Sequence, residues 1–270
     1  MQLWKNCISS FTSCNLPRCT WPSVHLKVHL KLQLWTSESC TLQSYWDATQ
    51  VATFWEKLQT IQFAAVQVIG QFFGARGLSE VKDIDTTELE QQGPLWIEYT
   101  PNGRTKTSRV TNDYRITQRH RMFIVGKTNC EIINLLCTHR DPSAGTSLFL
   151  RAKNNVTEDD DVWFSNQKVG KQIIGQAVSK FAAPLMERRE IENGHYTNTS
   201  MRKMLADRLF LAGAPEAIIA SAIGHYSNSC SNNGFRHSNL ANYVSGMEST
   251  ILRKKIAVLM HKSDLRWADV

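Results

Sequence analysis

The stretch VATFWEKLQTIQFAAVQVIGQFFG, Val51–Gly74, decides how the chain is read. Val51, Phe54, Trp55, Leu58, Ile61, Ala65, Val68, Ile69 and Phe72 step by three and four, which places them on one face of a long α-helix. Gly74 ends the run, as glycine does where a helix turns into the left-handed region. Upstream the period is different. From Val24 to Leu34 every even position is apolar (Val24, Leu26, Val28, Leu30, Leu32, Leu34), and His25, Lys27, His29, Lys31 and Gln33 fill the gaps. A period of two predicts one amphipathic strand, so residues 1–50 read as an appendage of another kind.

Downstream, helical spacing continues. A short segment starts at Gly77, Cys130–His139 and Gly170–Leu185 follow, and Ser200–Ala212 carries Met201, Leu205 and Leu209 on one face with Gly213 as its C-cap. Pro215 opens the next helix, which is expected to run to Gly224. Leu95–Thr100 and Thr105–Val110 flank Pro101-Asn102-Gly103-Arg104, which predicts a hairpin. The expected class is mainly α with a small antiparallel β-sheet. Its expected layout is an appendage at 1–50, a domain at 51–246 and a helical tail at 247–270.

The chain has 270 residues, 42% of them apolar, enough for a sizeable core. No run reaches the 18 apolar residues of a membrane span, and Met1–Ser10 lacks the layout of a signal peptide, so an intracellular chain is the expectation. Seven cysteines, an odd count, then read as free thiols. Cys14, Cys19, His25 and His29 are too closely spaced for a zinc finger, and neither a metal nor a small-molecule cofactor is expected. Charge is more telling: 31 basic residues against 24 acidic give +7. The window Arg104–Lys127 holds Arg104, Lys106, Arg109, Arg115, Arg119, Arg121 and Lys127 against Asp113 alone, a net +6. The plain reading is a solvated basic loop, and the functional one is a surface held against phosphates.

Four basic residues stand at element ends rather than in runs. Arg76 follows the glycine closing the long helix, Lys106 lies past the hairpin turn, Arg202 sits in the first turn of a helix, and His225 follows a helix-ending glycine. Such a set suits a phosphodiester: guanidinium forks grip non-bridging oxygens and a lysine serves the departing oxygen.

The motifs around these residues add a resemblance. Phe72-Phe-Gly-Ala-Arg76-Gly-Leu-Ser-Glu80, Glu98-Tyr-Thr-Pro-Asn-Gly-Arg-Thr105-Lys106-Thr107, Asp161-Val-Trp-Phe-Ser-Asn-Gln-Lys-Val-Gly170, and Thr197-Asn-Thr199-Ser-Met-Arg202-Lys203 occur in that order, followed by Ala212-Gly-Ala-Pro215 and Ile223-Gly-His225. From about Ile61 to Tyr243 the chain resembles the catalytic domain of the tyrosine recombinases, in the form carried by Crypton-type eukaryotic transposons and their domesticated descendants. The resemblance implies a metal-free reaction. Tyr243, in Asn239-Leu-Ala-Asn-Tyr243, would attack the scissile phosphate, Arg76, Arg202 and His225 would bind its oxygens, and Lys106 would serve the leaving 5′-oxygen. It also implies duplex DNA as partner, homo-oligomers assembled on DNA, and a nuclear site of action, with Arg104, Arg109, Arg115, Arg119, Arg121, Lys127 and Lys203 along the backbone.

The sequence departs from that pattern in three places. Thr199 stands where the family usually has histidine, Gly234 stands at the usual nucleophile distance, and residues 1–50 are too short for the helical clamp domain. The reading is therefore a DNA-binding, recombinase-like domain with impaired or no strand exchange. An active recombinase or integrase using Tyr243 and a protein-interaction module or functionless transposon fragment are the alternatives.

Overall fold

A computed structural model describes residues 46–47, 51, 53–75, 77–100, 121–189, 191, 193–223, 247–262 and 264–270. The expected strand at 24–34 lies outside these residues, as do Cys7, Cys14, Cys19, Cys40 and Cys230.

The central element is α1, Phe54–Phe73. It begins at a reciprocal capping box, with Thr53 Oγ1 accepting from Glu56 N and Glu56 Oε2 accepting from Thr53 N. It ends at Gly74 in the left-handed region, φ 58°. The apolar stripe understates its burial: every residue from Thr60 to Phe73 is buried, the glutamines included. A buried amide without a partner costs about 1–3 kcal/mol, so these side chains need acceptors in the core. Gln62 Nε2 donates to Leu150 O, and Gln71 Nε2 donates to Met260 O at 3.4 Å.

Around α1 pack α2 (Gly77–Lys82), α3 (Lys127–Thr138), α4 (Lys171–Glu187), α5 (Asn198–Leu211) and α7 (Met247–His261), with α4 and α5 as its most extensive neighbours and α6 (Glu216–Ala222) against α5. α5 starts two residues before the expected boundary, which moves Arg202 into its second turn. Its end follows the expectation. Gly213 has φ 77°, and Ala214 N and Gly213 N donate to Leu209 O and Phe210 O, the paired bonds of a Schellman motif. Pro215 directly precedes α6, which closes at Ala222.

Strands β1 (Leu89–Gln91), β2 (Trp96–Tyr99) and β3 (Met122–Val125) form an antiparallel sheet in the order β1-β2-β3. This corrects the hairpin. The partners of Trp96–Tyr99 are β1 and β3, with Tyr99 opposite Met122, so both of its edges are taken by strands other than 105–110. Residues 101–120 lie outside the described set. A second antiparallel pair joins β4 (Leu150–Ala152) to β5 (Phe164–Lys168), and β5 lies within the motif at 161–170. The fold is mainly helical with small antiparallel sheets, and among the described residues no helix is long and apolar enough to cross a membrane.

The tail at 247–270 is part of the core rather than an addition to it. Ile256, Ala257, Leu259 and Met260 of α7 are buried, and α7 lies against β3 and α5.

Candidate functional site

The C-terminal end of α1 is where the motif-bearing segments meet. Arg202 Nη1, on α5, donates to Gly74 O across 128 residues at 3.4 Å. A cation at this point also complements the negative end of the helix dipole. A Cβ placed on Gly74 would lie 2.8 Å from Leu205 Cδ2, 3.3 Å from Ala222 O and 3.7 Å from Ile223 Cα. The residue closing α1 is thus in contact range of α5 and of the end of α6. One turn earlier, a Cβ on Gly70 would meet Met201 Cβ at 2.8 Å, so glycine there is what lets α1 and α5 approach so closely.

The sheet reaches the same place. Tyr99, the last residue of β2, stacks on Phe73 in the final turn of α1 with centroids 4.7 Å apart and planes at 14°. Its phenol bonds to the buried Glu88, and desolvation, reinforced by the Glu88 charge, pushes its pKa well above the ordinary tyrosine value. Tyr99 therefore stays neutral and serves as an anchor. Thr100 N donates to Glu88 O at 2.8 Å, fixing the point from which the Lys106 connection departs. Asp85 begins the turn that presents Glu88, and its carboxylate illustrates opposing effects. Burial raises its pKa, but hydrogen bonds from Thr146 and Thr87 outweigh this and hold it below the usual value.

Four motif segments therefore converge: the one leading to Arg76, the one leading to Lys106, the box carrying Arg202, and the one leading to His225. Arg76 follows Gly74 by two residues and His225 follows Ile223 by two. Arg76, Lys106, His225 and Tyr243 themselves lie outside the described residues, as do Arg104, Arg109, Arg115 and Arg119.

The described members of the basic set are not one patch. Arg121 is next to β3 at the Tyr99 end of the sheet, whereas Lys127 opens α3 beyond Val125, at the opposite end. Arg121 Nε also pairs with Glu98 Oε1 at 3.1 Å. Asp113 is therefore not the only acid set against this window, and Glu98 offsets the charge of Arg121. Lys203 is exposed beside Arg202. Thr199 is exposed in the first turn of α5, and His195 is exposed before it.

Two polar residues to which the sequence assigned no function prove structural. Arg208, 4% exposed, donates through Nε to Leu259 O at 3.0 Å and through Nη2 to Lys262 O and Leu265 O at 2.7 and 2.9 Å. Asn198, in one of two formal glycosylation sequons, is buried and donates to Ile174 O at 3.1 Å. Cys130 and Cys137 are free thiols; burial raises Cys130 to about 12 and Cys137 to about 11. Among the described residues no group of His, Cys, Asp and Glu is arranged to hold a metal ion. A scan of protein-family models, a search of curated proteins and a search of solved structures each gave no match to the chain.

Proposed function

We propose that the chain is a tyrosine-recombinase-like domain of transposon origin that holds the phosphate backbone of duplex DNA at the C-terminal end of α1 without cutting it. The supporting observation is the contact of Arg202 with Gly74, together with the packing of Leu205, Ala222 and Ile223 around that glycine. Arg76 stands two residues after Gly74 and His225 two after Ile223 in the sequence, and the resemblance assigns both to the phosphate beside Arg202. On this reading two guanidinium groups and an imidazole from distant parts of the sequence would serve one phosphate. On this reading Lys106, between β2 and β3 in the sequence, would join them. Guanidinium forks match the geometry of phosphate oxygens, and a set of preorganised donors needs little rearrangement to hold one.

The absence of cutting is supported by the sequence departures. Thr199 can donate a hydrogen bond but cannot shuttle a proton near neutral pH as the family's histidine does. Gly234 has no hydroxyl to offer at the usual nucleophile distance. With DNA as partner, the place of action is the nucleus.

Incubation of the full chain with a library of nicked suicide duplexes tests both parts. The expected result is retention of duplex that weakens as salt is raised, with no covalent adduct. A phosphotyrosine adduct that disappears in Tyr243→Phe would replace this reading with an active recombinase. A chain that retains no duplex at low salt would overturn it altogether.

A further inference from the structure

The three-stranded sheet has an open edge at β1. Thr100 N donates to Glu88 O and Gln92 N to Trp96 O, both at 2.8 Å, so Glu90 and Glu98 form the bonded pair between them. Leu89 and Gln91 therefore turn their backbone groups away from β2. Leu89 N is taken up by Thr86 O. Leu89 O, Gln91 N and Gln91 O have no partner among the described residues. An edge of this kind is a template for another strand.

The two faces of the edge differ. Leu89 and Gln91 share a face with Ile97, and there a cavity of about 310 Å³ opens between the sheet and α3, lined also by Ile133, Cys137 and Thr138. No charged side chain lines it. Glu90 is on the other face, exposed and opposite Glu98. Arg121 serves Glu98, which leaves Glu90 without an ion pair among the described residues. Opposite charges on neighbouring strands are favourable, so a strand completing this edge needs apolar side chains on one face and basic ones on the other.

Val24–Leu34 has that pattern. Its even positions are all apolar, and its odd positions are His25, Lys27, His29, Lys31 and Gln33, with no acid among them. The chain also enters the fold close to the cavity. Val51 N donates to Trp46 O at 3.2 Å, and Phe54 opens α1. The Trp163 ring meets Phe54 at 5.2 Å and stacks on His139 at 3.5 Å. His139 directly follows Thr138, so the start of α1 lies beside the end of α3 that lines the cavity. Leu34 precedes Trp46 by twelve residues, which span about 40 Å when extended, longer than α1 itself. We propose that Val24–Leu34 of the same chain adds to β1 as a further strand, its apolar face over the cavity and its lysines beside Glu90.

Amide hydrogen exchange of the full chain, read at Gln91, tests the pairing. Gln91 N–H is expected to exchange at least about tenfold more slowly than an unprotected amide. Combining Leu26→Ser, Val28→Ser and Leu30→Ser is expected to remove that protection while the amides of β3 keep theirs. Glu90→Lys is expected to speed exchange at Gln91 about fivefold, and adding Lys27→Glu and Lys31→Glu to restore the slower rate. Glu90 is exposed, so this swap of charges reads the contact even where the serine variant fails to fold. Wild type in which Gln91 exchanges like an unprotected amide would overturn the proposal. Protection that survives the serine substitutions, or a Gln91 rate that ignores the charge swap, would assign the edge to another segment and overturn it too. Protection that grows with protein concentration would give the edge to a second copy, and the assignment to the same chain would be wrong.

Discussion

At the scale of the residue, Gly74 holds the arrangement together. Its φ of 58° favours glycine, and its missing side chain makes room for Leu205 and the end of α6. In Gly74→Ala the left-handed backbone and the 2.8 Å approach to Leu205 Cδ2 act in the same direction. Left-handed backbone alone costs on the order of 1–2 kcal/mol, and overpacking adds about 1–3. We expect Gly74→Ala to lose about 2–4 kcal/mol in chemical denaturation. A loss below 0.5 kcal/mol would show that the α1 end is looser than described. The glycine was legible in the sequence as a helix stop, because chirality limits what else fits there. Its second role, as the point where α5 and α6 touch α1, was not legible, because no local pattern encodes a contact across 128 residues.

At the scale of the element, α5 does two jobs through one arginine near each end. Arg202 reaches the end of α1, and Arg208 binds the carbonyls of Leu259, Lys262 and Leu265 where α7 closes. Hydrogen bonds from a charged donor each contribute about 1.5–3 kcal/mol, and removing the donor strands buried acceptors. Arg208→Met should destabilise the domain by about 3 kcal/mol and speed amide exchange first in Leu259–Leu265. Uniform exchange across the domain would argue against a local tie. Sequence periodicity identified α1, α3, α4 and α5 because their apolar spacing is long and regular. It understated α1, since Gln62, Gln67 and Gln71 lie outside the apolar stripe yet are buried as well. It also misplaced the hairpin. Asn102-Gly103 is a strong local turn signal, but β3 is set by pairing across a connection of more than twenty residues, which turn chemistry does not report.

At the scale of the whole molecule, the excess of +7 does not form a single described patch. Arg121 is matched by Glu98, and Lys127 stands at the far end of the sheet. On the proposed reading, affinity for DNA would come from the placement of Arg202 at the α1 end rather than from total charge. The candidate site was legible as a set of residue types at element ends. The contact of Arg202 with Gly74 was not legible locally, because the two become neighbours only when α1 and α5 pack together. The most direct measurement of the central claim is the affinity of the full chain for random duplex DNA across a salt series, in wild type and Arg202→Met with matched melting temperatures. The account predicts affinity that falls steeply with salt in wild type, and a loss of about 10- to 100-fold in Arg202→Met at low salt, the worth of one charged hydrogen-bonding group. Salt-independent binding, or equal affinity in the two proteins, would contradict it.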